Sequence, residues 1–513
     1  MTSSTNSVWL GEPLHRGGAT LIRDETCDVC VIGAGIAGLT TAYRLAVQGK
    51  SVIVLEAQPK VAAGETSLTT AHLASVLDDR FAKLKEIHGL AAVEIAHRSH
   101  SAAIDFIEET VRGERIDCDF SRTHGFLFPA SKDDYSIIDE EESVAREAGI
   151  PVERVDSFRL GQASISPCLR FPHQGQFHPL KYLTALSAAI VARGGRIYTQ
   201  ARVQSVSGGS EPTATIESGP TVRANAIVIA TNAPLNSGVR TSIRLAAYTT
   251  YAIAGVLSAS DRPQGLFWDT EDPYHYVRTQ PADEGRVWLI VGGEDHKTGQ
   301  AQDQGERWAR LERWTRDRFP TIGPNYLRWE GQVFETLDGL AMIGPEPGGD
   351  RGVFIATGDS GMGMTHGTIA GLLLPSLIAG EPHPWAERYS PSRLPINSLG
   401  TLIRENANMA GKAIVDLVST SEVSSVDAIA PGCGAVMRSG LQKIAVYRDT
   451  AGTVCEVSAV CPHLGGIVHW NAADKTWDCP LHGSRFAVNG EVLHGPATDR
   501  LAPSAALTES ANR

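Results

Sequence analysis

The sequence predicts an α/β chain in which a Rossmann-type nucleotide-binding domain is interleaved with a mixed or antiparallel sheet, followed by a small all-β domain at the C-terminus. Three observations predict this. A strand near residue 30 runs into a glycine-rich turn and a helix. A second buried strand and glycine-rich turn, Gly352 to Gly367, return to the same pattern 320 residues later. Near the C-terminus, short alternating strands surround two loops rich in Cys, His and Gly.

The first element is Asp28-Val-Cys-Val-Ile-Gly-Ala-Gly-Ile-Ala-Gly-Leu39, with Gly33, Gly35 and Gly38 spaced as G-x-G-x-x-G. A helical pattern follows to about Gln48, and a second apolar strand, Ser51 to Leu55, ends at Glu56. Strand, turn, helix and a distal acid are together the context in which these glycines let the backbone approach a pyrophosphate. Unpaired N–H groups around Gly35, Ile36 and Ala37 then face the phosphates, and Glu56 accepts from the ribose. The turn alone does not choose between NAD and FAD.

Further along, Lys181 to Arg193 reads as a helix, Arg202 to Val206 and Thr213 to Glu217 as strands, and Ala224 to Asn232 as a buried strand. The middle region shows strand patterns at Thr249 to Leu257, Val287 to Val291 and around Gln332, and helical patterns at Asp105–Val111 and Arg307–Asp317. The last buried strand, Gly352 to Gly358, leads through Asp359-Ser-Gly-Met-Gly-Met-Thr-His-Gly367 into a helix from about Thr368 to Ile378.

With Thr336-Leu-Asp-Gly-Leu-Ala-Met-Ile-Gly344 ahead of that strand, residues 25–395 resemble the D-amino-acid-oxidase/glycine-oxidase-like superfamily of FAD enzymes. The resemblance implies that Gly361, Met362, Gly363, Met364 and Thr365 pass under the flavin ring, and that Val203 lies at the adenine end. It also implies that Thr66, Ser67 and Thr70, in Gly64-Glu-Thr-Ser-Leu-Thr-Thr-Ala-His72, lie beside the flavin. No second G-x-G-x-x-G appears between Asn232 and Gly352, so that region is expected to hold substrate rather than NAD(P)H. Many amino-acid oxidases of the superfamily carry a carboxylate-binding arginine where this chain has Trp329-Glu-Gly-Gln332-Val-Phe, so an α-amino acid held in that way is not expected.

The C-terminal loops read Cys461-Pro-His463-Leu-Gly-Gly466 and Cys479-Pro-Leu-His482-Gly-Ser484, with fifteen residues between His463 and Cys479. Two Cys and two His would also suit zinc. The paired loops resemble the Rieske [2Fe–2S] motif, which implies Cys461 and Cys479 on one iron and His463 and His482 on the other. Two departures from the cytochrome bc type are visible. Its extra loop cysteines are replaced by Gly466 and Leu481, and its sulfur-bonding tyrosine by Phe486, while Ser484 is kept. Fewer hydrogen bonds to the sulfurs predict a low-to-middling potential.

Other signals read as ordinary structure. Cys27 and Cys30 lie in the first strand, where an offset of three puts them on opposite faces. Glu94-x-x-His97-x-x-His100 reads as a solvated helix face. His296, His72 and Arg328 are weak candidates for a catalytic role, and Arg278 is a further possible carboxylate partner.

Composition bounds the function. With 513 residues, 58 acidic against 46 basic side chains and a net charge of −12, the chain is no general nucleic-acid binder. No apolar run reaches the 18 or so residues that span a bilayer, and no secretory signal is visible, so a cytoplasmic location is expected. The domain expectation is an FAD unit over 25–395, with nucleotide-binding parts near 25–80, 180–235 and 340–382. A connecting helix and linker over 396–422 and a Rieske domain over 423–513 follow.

The expected activity is oxidation of a C–N bond in an amine or N-substituted amino acid. Electrons would leave through the cluster to an external carrier, whether ferredoxin, reductase or quinone-linked. One alternative is a monooxygenase whose flavin is reduced inward through the cluster; another is a flavoprotein that uses the Rieske domain only for docking. A homo-oligomer and a covalently held flavin are left open.

Overall fold

The computed structural model describes residues 7–11, 17–235, 239–283, 285–301, 303–348, 351–393, 421–440 and 442–504. The expected connecting helix, read from Thr401 to Val418 in the sequence, lies outside the described residues. So does most of the expected 396–422 linker.

Glu25–Ile32 and Val52–Leu55 pair in parallel, and their facing residues are the β-branched and apolar Val29–Ile32 and Val52–Leu55. Such runs, buried on both sides, suit the centre of a parallel sheet. The sheet runs Val203–Ser207, Thr213–Ile216, Thr221–Asn232, Glu25–Ile32, Val52–Leu55, Arg196–Tyr198. Val353–Thr357 joins it in parallel beside the far half of Thr221–Asn232 and carries Met342–Pro345. The late strand–turn–helix thus lands beside the early one. Helices Ile36–Val47 and Gly363–Ile378 pack closely because Gly367 and Gly371 lack side chains; a Cβ on Gly371 would stand 2.4 Å from Thr40 Cγ2.

A nine-stranded sheet forms the second layer. Its order is Tyr326–Thr336, Leu245–Ser258, Arg286–Lys297, Tyr276–Pro281, Leu266–Asp269, Ser121–Phe128, Cys168–Gln176, His72–Leu73, with Glu153–Val155 on Cys168–Gln176. Only the Leu266–Asp269/Ser121–Phe128 pairing is parallel, so the sheet is mixed. Ser121–Phe128 and Cys168–Gln176 were not legible as strands.

The C-terminal region packs a three-stranded sheet (Cys433–Ser439, Gln442–Arg448, Val454–Ser458) on a four-stranded one (His469–Asn471, Thr476–Asp478, Arg485–Phe486, Val492–His494). Val436, Ala445, Val457, Val468, Trp477, Phe486 and Leu501 form its core. This region docks on the Tyr326–Thr336 edge of the large sheet. Arg485 bonds Glu330 at 2.9 Å there, and Gln332 bonds Gly483.

Two readings of the sequence need correction or completion. His100 is fully buried, not solvated: Val93, Ala96, His100 and Ala103 share the inward face of helix Leu90–Gly113. Cys30 is buried and Cys27 half-buried, both as free thiols, and burial pushes the Cys27 thiol up to about 12. Among the described residues no helix is long and apolar enough to cross a membrane.

Candidate functional site

A cavity of about 710 Å³ lies between the two large sheets. At one end Gly33, Ala34, Gly35, Ile36 and Ala37 line it, with Glu56 and Val203 beside them. Gly33 sits at φ +102, where a Cβ would meet Ala230 O at 2.4 Å. A Cβ on Gly38 would stand 1.9 Å from Gly33 O, so Gly38 shapes the turn without lining the cavity. Glu56 is buried, and its two carboxylate oxygens accept from Ala34 N–H and Gln58 N–H, each at 2.8 Å. Burial pushes its pKa up while those N–H groups pull it down.

The other glycine turn brings Gly361, Met362, Gly363 and Met364 to the same cavity. Helix Gly363–Ile378 starts there, five residues before the expected Thr368, because Gly363 and Met364 already take helical geometry. In neither this helix nor Ile36–Val47 does the residue preceding the first turn cap it with its side chain, so apart from the Ile36 N–H both N-termini leave N–H groups and positive dipole ends for a ligand. Thr66 and Thr70 line the wall, and Thr66 Oγ1 accepts Ile36 N–H at 3.3 Å. Ser67 and Thr365 do not line it. Ser67 turns back to Gly64 O at 2.8 Å, and Thr365 bonds His100 Nδ1 at 2.7 Å behind the turn.

The weak candidates separate. His72 lines the cavity, with Val277 O 3.3 Å from Nε2, and burial holds it near pKa 3 as a neutral ring. His296 stacks on Tyr251 away from the cavity. Arg328 is exposed and pairs with Glu312 at 2.5 Å. Arg278 is buried behind the wall, donating to Ala71 O at 2.5 Å and Phe177 O at 3.2 Å.

Sequence reasoning missed the acidic part of the lining. Asp78, Asp295 and Asp359 all reach the cavity. Burial pushes them up to about 7, 6 and 7 respectively. Tyr274 OH donates to Asp78 Oδ2 at 2.6 Å, and Tyr276 OH lies 2.7 Å from Thr250 Oγ1. Asp295 Oδ1 and Asp359 Oδ1 are buried with no hydrogen-bond donor among the described residues. None of the three makes an ion pair there either, and the cations at the wall include Lys83, which is exposed and pairs with Glu86 at 2.8 Å. His296 drew attention because it follows the apolar strand Val287 to Val291 in the substrate half. A bulge with Glu294 at φ +61 shifts the register and brings Asp295, not His296, to the cavity.

The two cysteines and two histidines expected as iron ligands converge in the docked domain. Cys461 and Cys479 are buried and hydrogen-bonded to each other, and the His463 and His482 rings lie 5.0 Å apart, edge to face. Backbone N–H groups of His463 and Leu464 reach Cys461, those of Leu481 and His482 reach Cys479, and the Ser484 hydroxyl bonds Cys461. A Cβ on Gly466 would touch Leu481 Cδ1 at 2.8 Å, so an apolar contact stands where two further cysteines would meet. A thiol pair fed by N–H donors beside an imidazole pair fits a two-iron cluster. The cavity, with glycine turns and two helix N-termini at its wall, fits FAD.

The C-terminal domain closes part of the cavity. Leu493, His494 and Gly495 of the C-terminal domain line the cavity, as does Gln332. Neither contact was legible in the sequence, because each joins residues more than 150 positions apart or closes only when the domains dock.

Comparison with known proteins gives a consistent assignment. The family model described as FAD dependent oxidoreductase (DAO) matches residues 28–377, and the Rieske [2Fe-2S] domain model matches residues 419–505. The chain is 31% identical over 483 residues to the Rieske 2Fe-2S iron-sulfur protein YhfW of Bacillus subtilis (strain 168), covering 93% of each chain. It is 24% identical to the gamma-glutamylputrescine oxidoreductase of Escherichia coli (strain K12), over 72% of this chain and 87% of that one. Glycine oxidase from Geobacillus kaustophilus shares the fold at a TM-score of 0.60 and 20% identity, over 72% of this chain and 99% of that one.

Proposed function

The chain belongs to the FAD dependent oxidoreductase family and carries a Rieske [2Fe-2S] domain, and from that premise we propose that it oxidises the C–N bond of a cationic amine and hands the electrons to an external carrier. Bound FAD supplies a two-electron acceptor and the cluster a one-electron relay. Glu56, the Gly33–Ala37 turn, Thr66, Thr70, Val203 and the Gly361–Met364 turn are the proposed FAD contacts. Cys461, His463, Cys479 and His482 are the proposed iron ligands.

The observation that carries the substrate reading is the set of half-buried carboxyls, Asp78, Asp295 and Asp359, none of which forms an ion pair among the described residues; the nearest cation to Asp295, Arg307, donates to its backbone oxygen at 3.2 Å and only moderates the upward shift. A bare carboxylate in such a place is costly, and an entering ammonium ion removes that cost. Asp295, with an unfilled acceptor, is the proposed ammonium partner; Asp78, oriented by Tyr274, is the second. A carboxyl lifted towards neutral pH can also accept the ammonium proton, leaving the neutral amine from which hydride departs. Tyr274, Tyr276 and Trp268 supply aromatic surface that keeps water from the reacting carbon. Gln332 in place of a guanidinium argues for amines over α-amino acids.

The C-terminal domain's part in the cavity wall favours the relay over a domain used only for docking. Anaerobic mixing of the oxidised protein with short alkylamines and matched α-amino acids tests the reading. Amines should bleach the flavin without added reductant and the amino acids should not. A flavin that bleaches only when reductant is supplied through the cluster would replace this reading with inward electron flow.

A further inference from the structure

Gln332 belongs to both sites at once. Its strand segment, Gly331 to Glu335, lines the cavity, while its buried side chain donates through Nε2 to Gly483 O at 2.7 Å. Gly483 stands between His482 and Ser484 in the second ligand loop. Its own N–H donates to Cys479 O at 3.0 Å. Ser484, held by Ala497 N–H at 3.0 Å, bonds the Cys461 thiol. One amide from the cavity sheet therefore fixes the peptide that joins an imidazole ligand to the hydroxyl on a ligand sulfur.

The contact is built from both sides. Gly483 lies at φ +75, and a Cβ there would stand 2.3 Å from Ala247 Cβ and 2.7 Å from Gln332 Nε2. Only glycine allows the loop to come this close. The Gln332 backbone N–H donates to Glu65 Oε2 at 2.7 Å, and Glu65 Oε1 lies 3.1 Å from His494 Nδ1. Glu65 and His494 also line the cavity. The Gln332 backbone is thus held by Glu65, which itself meets the cluster domain at His494.

Docking does not depend on this amide. Glu330 and Arg485 meet at 2.9 Å, Asn471 Nδ2 reaches Glu330 at 3.4 Å, and Gln300 Nε2 reaches Pro480 O at 3.4 Å. A change at position 332 leaves those contacts in place.

We propose that Gln332 is a positioning residue that couples the two cofactor sites, so that filling the cavity with FAD shifts the spectroscopic signature of the cluster. Partners one step behind a metal's ligands set ligand orientation and electron density. If the amide settles when the cavity fills, Gly483 and His482 settle with it. Coupling of this kind is reciprocal, so the state of the cluster also changes FAD affinity.

The test uses full-length protein with its cluster intact, depleted of FAD and then titrated with FAD. Visible circular dichroism and the EPR spectrum of the reduced cluster are recorded at each step, and flavin fluorescence quenching reports binding. In the wild type, FAD should shift the cluster bands and g-values. In Gln332→Ala and Gln332→Asn, FAD should still bind and the shift should be lost. A wild-type cluster signature that ignores FAD, or variants that keep the full shift, would overturn the proposal. If a variant fails to take up FAD, its FAD-free cluster spectrum decides: identity with the wild type also overturns it.

Discussion

Glu330 and Arg485 meet at 2.9 Å inside the joint between the large sheet and the C-terminal domain, with 1% and 5% of their side chains exposed. Arg485 also binds Asp474 at 2.6 Å and Asp478 at 3.2 Å. One guanidinium thus serves three carboxyls from both sides of the joint, and their field holds its pKa up against the cost of burial.

Arg485→Met should strand those carboxyls without a cation. Breaking a buried pair from one side costs about 3–5 kcal/mol. We expect a lower melting temperature read by cluster circular dichroism and earlier release of flavin fluorescence in the same melt. An unchanged melt would show that the joint contributes nothing to stability.

Gly38→Ala should separate the two cofactors. Its Cβ would stand 1.9 Å from Gly33 O, so the first turn cannot close as it does here. The purified variant should lack flavin absorbance while keeping the Rieske EPR signal. Retained FAD at wild-type stoichiometry would refute the placement of that turn at the cofactor.

Asp295→Asn and Asp78→Asn should each weaken use of an amine substrate. A charge-assisted hydrogen bond is worth about 1.5–3 kcal/mol, which is roughly ten- to a hundredfold in kcat/KM. Steady-state kinetics with an artificial acceptor read this without involving the cluster. Variants with wild-type kcat/KM would remove both residues from the substrate site.

Stability should fall as pH rises through the range in which the cavity carboxyls ionise. Burial lifts Asp78 and Asp359 from 3.8 to about 7 and Asp295 to about 6. A carboxyl with a raised folded-state pKa stabilises the fold fully below its unfolded pKa, and that contribution is lost as pH climbs through the folded value. The amine-free protein should therefore lose stability between about pH 4 and pH 7 from these groups. A bound alkylammonium ion should raise the melting temperature more at about pH 8 than at about pH 5. Equal rises would contradict cation binding at these carboxyls.

The cluster should titrate in the low-to-middling part of the Rieske range, below about +200 mV. Phe486 is fully buried and has no hydroxyl to offer a sulfur, which leaves Ser484 and the backbone N–H groups as donors to the thiols. A midpoint above that mark in a redox titration would show that these donors suffice for a high potential.

What the sequence disclosed was local in the chain. Gly33, Gly35 and Gly38 lie within six residues, and the iron ligands within two short loops, so spacing alone reveals their chemistry. The cavity carboxyls come from Asp78, Asp295 and Asp359, on three separate segments, and Asp295 reaches the cavity only through a bulge at Glu294 that a regular strand pattern does not show. His100 was read as solvated from the polar Glu94, His97, His100 spacing alone, whereas steps of three and four residues place it with Val93, Ala96 and Ala103 on the buried face. Contacts such as Gln332–Gly483 and Glu65–His494 exist only when two domains dock, and no spacing rule foresees them.

The central claim is that cavity and cluster form one relay within a single chain. Flash photoreduction of the FAD in fully oxidised, full-length protein, followed at the cluster's absorbance bands, tests it without any substrate. The account predicts first-order reduction of the cluster at a rate independent of protein concentration. A cluster that stays oxidised beside reduced flavin, or a rate that scales with protein concentration, would contradict it.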